Sequence, residues 1–137
     1  MKKWEHFPHT ADIGIRGIGN NIEEAFEMGA MALIAVIAEP DSIKTEETVS
    51  IKCKSKDFDY LFFDWINAVN YEIEMRKMLF SRFDVKIDNF HLKADIMGEK
   101  IDLKRHQAEI IVKGATFTEL KVFQKNGIWI AQCVVDV

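Results

Sequence analysis

The chain has 137 residues, 48% of them hydrophobic, with few glycines and prolines and a formal net charge of −4. This length predicts one domain spanning residues 1–137, and the composition excludes a disordered chain. The acidic balance argues against tight nonspecific gripping of nucleic acid, which draws on a broad basic surface, but leaves room for a small local one.

The first feature is HFPHTAD, in which His6, His9 and Asp12 are three residues apart. That spacing aligns side chains on a helix, yet Pro8 biases Phe7 toward extended backbone. The three are therefore not expected to converge on zinc or iron. His6 reads as exposed, and His9 as capping or packing at the start of a strand. Residues 12–18 alternate, with Ile13 and Ile15 on one side and Asp12, Gly14 and Arg16 on the other, as in a half-buried strand. Because Gly14 has no side chain, the face beside Asp12 either leaves space for an ion, a ligand or another chain, or marks a bulge.

Asn21 and Glu24 have capping spacing, and a helix is predicted from there to about Ala38, with Ile22, Ala25, Phe26, Leu33 and Ile37 on one side. Pro40 stops it. Its apolar run, MGAMALIAVIA, falls short of the ~18 residues of a membrane span. Residues 46–54 read as a strand with Val49, Ile51 and Cys53 inward. Asp57 then opens a long helix whose apolar stripe runs through Phe58, Leu61, Phe62, Trp65, Ile66, Val69 and Ile73.

The remainder reads as strands: Phe83 to Ile87, Phe90 to Ile96, residues 108–123 and residues 128–137. Asn126-Gly127 forms a hairpin turn between the last two. The order predicts an α+β fold, two helices packed on antiparallel β-sheet in a single compact domain. Cys53 and Cys133 are expected to be buried, reduced thiols. With no apolar leader in MKKWEHF, this suggests a cytoplasmic location.

No glycine-rich phosphate loop, paired-cysteine motif or nucleophile elbow occurs, so no catalytic residue is expected. Lys104, Arg105 and His106 form a small basic cluster that reads as a solvated turn. At the other end, Asp136 precedes the carboxylate of Val137, within one residue's rise of ~3.3 Å. Grouped oxygens of this kind suit a hard cation such as Ca²⁺ or Mg²⁺. Spacing alone does not show whether Asp12 meets them.

HTADIGIRGIGNNIEEAFEMGAMAL, LFFDWINAVNYEIE, GEKIDLKRHQAEIIVKGAT and the ending VVDV together resemble the archease family over essentially the whole chain. The chain departs from the family at Thr116-Phe117-Thr118, where members often carry Thr-Tyr followed by His or a small residue. The resemblance implies a non-enzymatic accessory protein for tRNA splicing. Such a protein activates the GTP- and Mn²⁺-dependent RtcB-type tRNA-splicing ligase, promoting its guanylylation and multiple turnover. The resemblance also implies a metal site at Asp12, Asp136 and Val137, with Ca²⁺ as the expected ion and no organic cofactor. His9, Lys104 and His106 are the candidate partner-facing residues. A second reading is a chaperone-like modulator of an RNA cytosine methyltransferase, and a third is a metal-dependent hydrolase built on His6, His9 and Asp12.

Overall fold

The computed structural model describes residues 1–108 and 110–137. The first long helix, α1 (Ile22–Ile37), begins where its cap chemistry dictates. The Asn21 side chain accepts from the Glu24 N–H at 2.8 Å, and the Glu24 carboxylate accepts from the Asn20 N–H at 2.9 Å. The first bond satisfies a backbone donor that the first helical turn would otherwise leave open, and the second ties the residue before the cap to that turn. A single 3-10 turn at Pro40–Ser42 follows the helix. The second, α2 (Phe58–Arg76), is capped by Asp57, which accepts from the Tyr60 N–H at 2.8 Å. It ends at Lys77 in the left-handed region, a common helix stop.

The strands are β1 (Lys3–His9), β2 (Asp12–Gly19), β3 (Glu47–Lys54), β4 (Met78–Asp88), β5 (His91–Lys100), β6 (Gly114–Ala115), β7 (Lys121–Lys125) and β8 (Ile128–Asp136). All pair antiparallel, in two sheets. The larger runs β1-β2-β8, with β6 and β7 both on the far side of β8, and the smaller runs β3-β5-β4. Both long helices lie between the sheets. Helix α1 touches β1, β2 and β8 of one sheet and β4 of the other; α2 touches β6, β7 and β8 of the first and β3 and β4 of the second.

One cluster of buried side chains fills this middle layer, including Phe26, Leu33, Leu61, Phe62, Trp65, Phe80 and Ile96. Each is worth roughly 1.5–3 kcal/mol by removal from water. The Trp65 indole N–H donates to the Phe26 carbonyl at 2.9 Å, so the largest core ring keeps its polar atom satisfied. Helix α1 sits close on β2 because Gly17 lacks a side chain: a Cβ there would collide with the Ala25 carbonyl and the Gly29 amide.

The expected α+β architecture holds, with four differences in detail. HFPHTAD is not the mere start of a strand: residues 3–9 form β1, whose hairpin with β2 turns at Thr10-Ala11. Phe90 lies in the turn between β4 and β5 rather than in a strand, with Asn89 and Phe90 at φ 50° and 62°. Of residues 108–123, the described ones form strands only at β6 and β7; Lys113, Thr116 and Thr118 add single backbone bonds to β8, and residues 110–112 lie beside the C-terminal ends of α1 and α2. A short third helix, α3 (Leu103–His106), precedes it. The Asn126-Gly127 hairpin turn is present, with φ 54° and 78°. The cysteines are unbridged; Cys133 is buried, but Cys53 only half-buried. No helix among the described residues is long and apolar enough to cross a membrane.

Candidate functional site

The register of the larger sheet brings the two candidate acids together. His9 pairs with Asp12 across β1 and β2, and Ile13 pairs with Val135 across β2 and β8. One step further along, Asp12 stands opposite Asp136, which pairs in turn with Gly114 of β6. His9, Asp12 and Asp136 therefore lie abreast on the outer face, at adjacent strand spacings of ~4.8 Å. The next same-face rows are Phe7, Gly14 and Val134, then Glu5, Arg16 and Gln132. Side-chain contacts agree: Arg16 reaches Gln132 Oε1 at 2.9 Å and Glu5 Oε1 at 2.7 Å. A long hydrogen bond of 3.4 Å runs from the Val137 N–H to Asp12 Oδ1. The Lys113 N–H donates to the Asp136 carbonyl at 2.7 Å, which fixes the end of β8.

The space expected beside Gly14 is absent. The Phe7 ring occupies it, so closely that a Cβ on Gly14 would collide with it, and the Arg16 guanidinium covers that ring at 4.6 Å. Gly14 is thus the seat of an aromatic side chain from its own hairpin. His6 and His9 fall on opposite faces of β1, since strand side chains alternate, and so the helix-spaced trio does not converge. His6 is exposed and donates through Nε2 to the Ala32 carbonyl at 2.8 Å. His9 is half-buried, and its Nδ1 is enclosed without a hydrogen-bond partner. The hairpin tip is strained: Thr10 is β-branched yet has φ 45°.

Two carboxylates directly opposite one another on a sheet repel. A hard cation would reverse the sign of that interaction, and an all-oxygen set from Asp12, Asp136 and the Val137 carboxylate suits Ca²⁺. The unpartnered His9 nitrogen in the same row fits an outer ligand or a water better than a Ca²⁺ contact. Among the described residues, no three His, Cys, Asp or Glu side chains are grouped closely enough to hold a metal. The Ca²⁺ reading therefore needs the main-chain terminus as its third donor.

The other partner-facing candidates separate. Lys104 is exposed on α3, but His106 is only 1% exposed. It is neither a solvated turn residue nor positioned to face a partner. Its Nδ1 accepts from the Asp102 N–H at 2.9 Å, so Nε2 carries the hydrogen and donates to Glu99 Oε2 at 2.9 Å. Glu99 also accepts from the Lys44 N–H at 2.7 Å and from Arg105 Nη2 at 2.6 Å. Burial pushes the Glu99 carboxyl up, but the bonds from Arg105, Lys44 and His106 outweigh it and hold the group at about 2. Sequence reasoning missed this cluster because the burial of Glu99 and His106 and the contact with Lys44 arise only from tertiary packing. The local signal was Glu99 and Asp102 just ahead of a Lys-Arg-His triplet.

Where the sequence departs from the family pattern, Phe117 is 63% exposed and stacks on Phe63 at 4.5 Å, beside Tyr60 at 5.7 Å. Thr116 bonds back to β8 through Oγ1, 2.8 Å from the Val134 carbonyl. The flanking strand contact is thus kept without a tyrosine or a histidine.

The model of the archease protein family matches residues 4–137. The chain belongs to the archease family. It is 36% identical to the protein archease of Pyrococcus abyssi and 37% identical to that of Sulfurisphaera tokodaii, covering each in full and being covered in full. Among solved structures, it matches the solution structure of Methanobacterium thermoautotrophicum protein 1598 with a TM-score of 0.87, at 30% identity and full coverage of both chains. It also matches a Thermotoga maritima crystal structure, described as an archease and possible chaperone, with a TM-score of 0.64. That match has 21% identity over 97% of this chain and 96% of the other, and so speaks for the fold alone.

Proposed function

We propose that this archease is a non-enzymatic accessory protein that activates an RtcB-type tRNA-splicing ligase, promoting guanylylation and repeated turnover. The observation that supports this most is the acidic end of the larger sheet. Asp12 and Asp136 stand abreast there, with Val137 tied to Asp12. The two carboxylates and the Val137 carboxylate would hold Ca²⁺, whose chemistry is to screen and order them. The protein's own residues do the rest. The β1–β2 hairpin carries Asp12 outward, the β6–β8 pairing holds Asp136 beside it, and His9 and Lys104 offer contacts to the ligase. An acidic tip of this kind is suited to a partner that binds Mn²⁺ and a nucleotide, because it attracts cations and can position a metal near phosphates.

The test is multiple-turnover RNA ligation by the cognate ligase with GTP and Mn²⁺, with and without this protein. Stimulation by wild type and its loss in Asp12→Ala and Asp136→Ala is the expected result. Stimulation undiminished in both variants overturns the acidic-tip mechanism. The second reading, a chaperone-like modulator of an RNA methyltransferase, draws on an exposed apolar patch at Met75, Leu103, Ile110 and Ile111 beside the end of α2. It predicts that Leu103→Ser weakens methyltransferase binding while leaving ligase stimulation intact.

A further inference from the structure

The outer face of the smaller sheet carries an unusual row. Lys52 of β3 pairs with Lys93 of β5, and Lys93 pairs with Lys86 of β4. All three side chains are exposed, because the neighbours of opposite phase (Ile51, Leu92, Ala94, Val85) point into the core. The three lysines therefore stand abreast on strands spaced ~4.8 Å apart. Like charges directly opposite on a sheet destabilise it, and among the described residues none of the three has a carboxylate within ion-pair distance. The next same-face row holds Ser50, Asp95 and Asp84, and there Asp95 is engaged by the Ser50 hydroxyl at 2.8 Å.

Protection of sheet edges accounts for lysines on β3 and β4, which are the edge strands. It does not account for Lys93, which sits on the central strand where no edge needs guarding. Lys54, which shares the next same-face row with His91 and Asp88, and Lys56 beyond it are also exposed and lead along a lane to two accessible rings. Lys56 Nζ lies 4.5 Å from the Tyr60 ring, and Phe90, at the β4–β5 turn, is 37% exposed and packs on Phe58 at 4.7 Å. From strand spacing and rise, the lane is roughly 20 Å long. Shallow depressions flank the three lysines, one of them lined by Lys52, Lys86 and Lys93 together with Ser50, Asp84 and Asp95.

We propose that this face binds single-stranded RNA, with Lys52, Lys93, Lys86 and Lys54 on phosphates and the Phe90 and Tyr60 rings available to bases. Cations in a track with rings at one end are the elements by which proteins hold single strands without reading sequence. An acidic peptide fits less well, because its carboxylates would meet the lysines but bring no planar base to lie on the Phe90 ring. The surface lies on the opposite sheet from Asp12, so RNA would bind here whether or not the protein activates a ligase.

The test uses the whole chain and a fluorescent 12-nucleotide oligouridylate, with anisotropy titrated across a salt series. Wild type should bind at low salt. The triple variant Lys52→Gln/Lys86→Gln/Lys93→Gln should bind at least tenfold more weakly. Its log–log salt slope should be shallower by about 2, because each phosphate that a lysine no longer neutralises takes ~0.7 from the slope. A control variant, Lys121→Gln/Lys125→Gln on the other sheet, should bind as wild type does. Wild-type binding no tighter than that of the triple variant overturns the proposal, as does tighter binding of a poly-glutamate peptide than of RNA. Denaturant unfolding adds a second readout. Removing Lys93 should leave the RNA-free protein as stable as wild type or more so, and a loss of stability would mark the row as structural.

Discussion

Replacing Glu99 with Gln tests whether the buried cluster beneath α3 works through charge. The substitution keeps the shape but gives the site one carbonyl and one amide in place of two anionic oxygens. The bonds from the Lys44 N–H and the His106 Nε2–H lie inside, with His106 1% exposed and Glu99 5%. A hydrogen bond to a charged acceptor exceeds a neutral one by about 1 kcal/mol, so loss of charge across these two costs about 2 kcal/mol. The Arg105 pair reaches the surface and adds little. For a domain of this size, the Tm should fall by about 6 °C near pH 6. The sign of the pH effect follows from the Glu99 carboxyl being held at about 2, below its ordinary value of 4.5. Its stabilisation is fully present above 4.5 and is lost as pH falls toward 2. Denaturant or thermal unfolding of both proteins at intervals from about pH 6 down to about pH 2.5 should show the gap closing across that window. A gap that stays constant with pH, or no gap at the upper end, would refute a charge-based role for the cluster.

Wild type with Ca²⁺ at 100 times its Kd should gain about 2.7 kcal/mol over chelator-treated protein. Asp12→Asn and Asp136→Asn should abolish that gain in thermal unfolding, and a short C-terminal extension should reduce it. Without cation, Asp136→Asn should be neutral or stabilising, because it removes a like-charge pair. Thr10→Gly should raise the denaturant midpoint by about 1 kcal/mol equivalent, since a β-branched residue at φ 45° is strained where glycine is not. Gly17→Ala should lower stability by about 2 kcal/mol or more, or prevent folding, because the new methyl collides with α1 backbone rather than with a movable side chain.

The helices and most strands were legible because each is written in local periodicity. The α2 stripe from Leu61 to Ile73 is buried as the pattern required, with Phe58 half-buried at its start, and Asn21, Asp57 and Asn126-Gly127 carry out their capping and turn chemistry. β1 was hidden because its apolar residues are few and its partner is the strand immediately after it. Phe90 alternated with Leu92 and so resembled a strand residue. Alternation cannot reveal a two-residue turn in which both positions adopt positive φ. Residues 108–123 look strand-like from composition, but part of the segment is held by side chains from the middle of α2: Asn70 Nδ2 donates to the Val112 carbonyl at 2.9 Å, and Asn67 Oδ1 accepts from the Ala115 N–H at 2.9 Å. Asp12 and Asp136 were each visible as acids on apolar strands, but their meeting depends on which strand follows β2 in the sheet. The sequence does not encode that locally.

Both outer faces of the sandwich hold the same kind of arrangement with opposite sign. Asp12 and Asp136 oppose each other on the larger sheet, and Lys52, Lys93 and Lys86 do so on the smaller one. A chain under selection for stability alone would offset each row with opposite charge. This one does so further along the face that carries Asp12, where Arg16 pairs with Glu5, and elsewhere at Lys2 and Glu27. The lysine row has Asp84 and Asp95 in the row beside it but no ion pair of its own, and both rows of like charge gain most from a ligand of opposite sign. Because the helix layer separates the two faces, an acidic tip can approach a metal-bearing partner while the basic lane stays open to a polyanion.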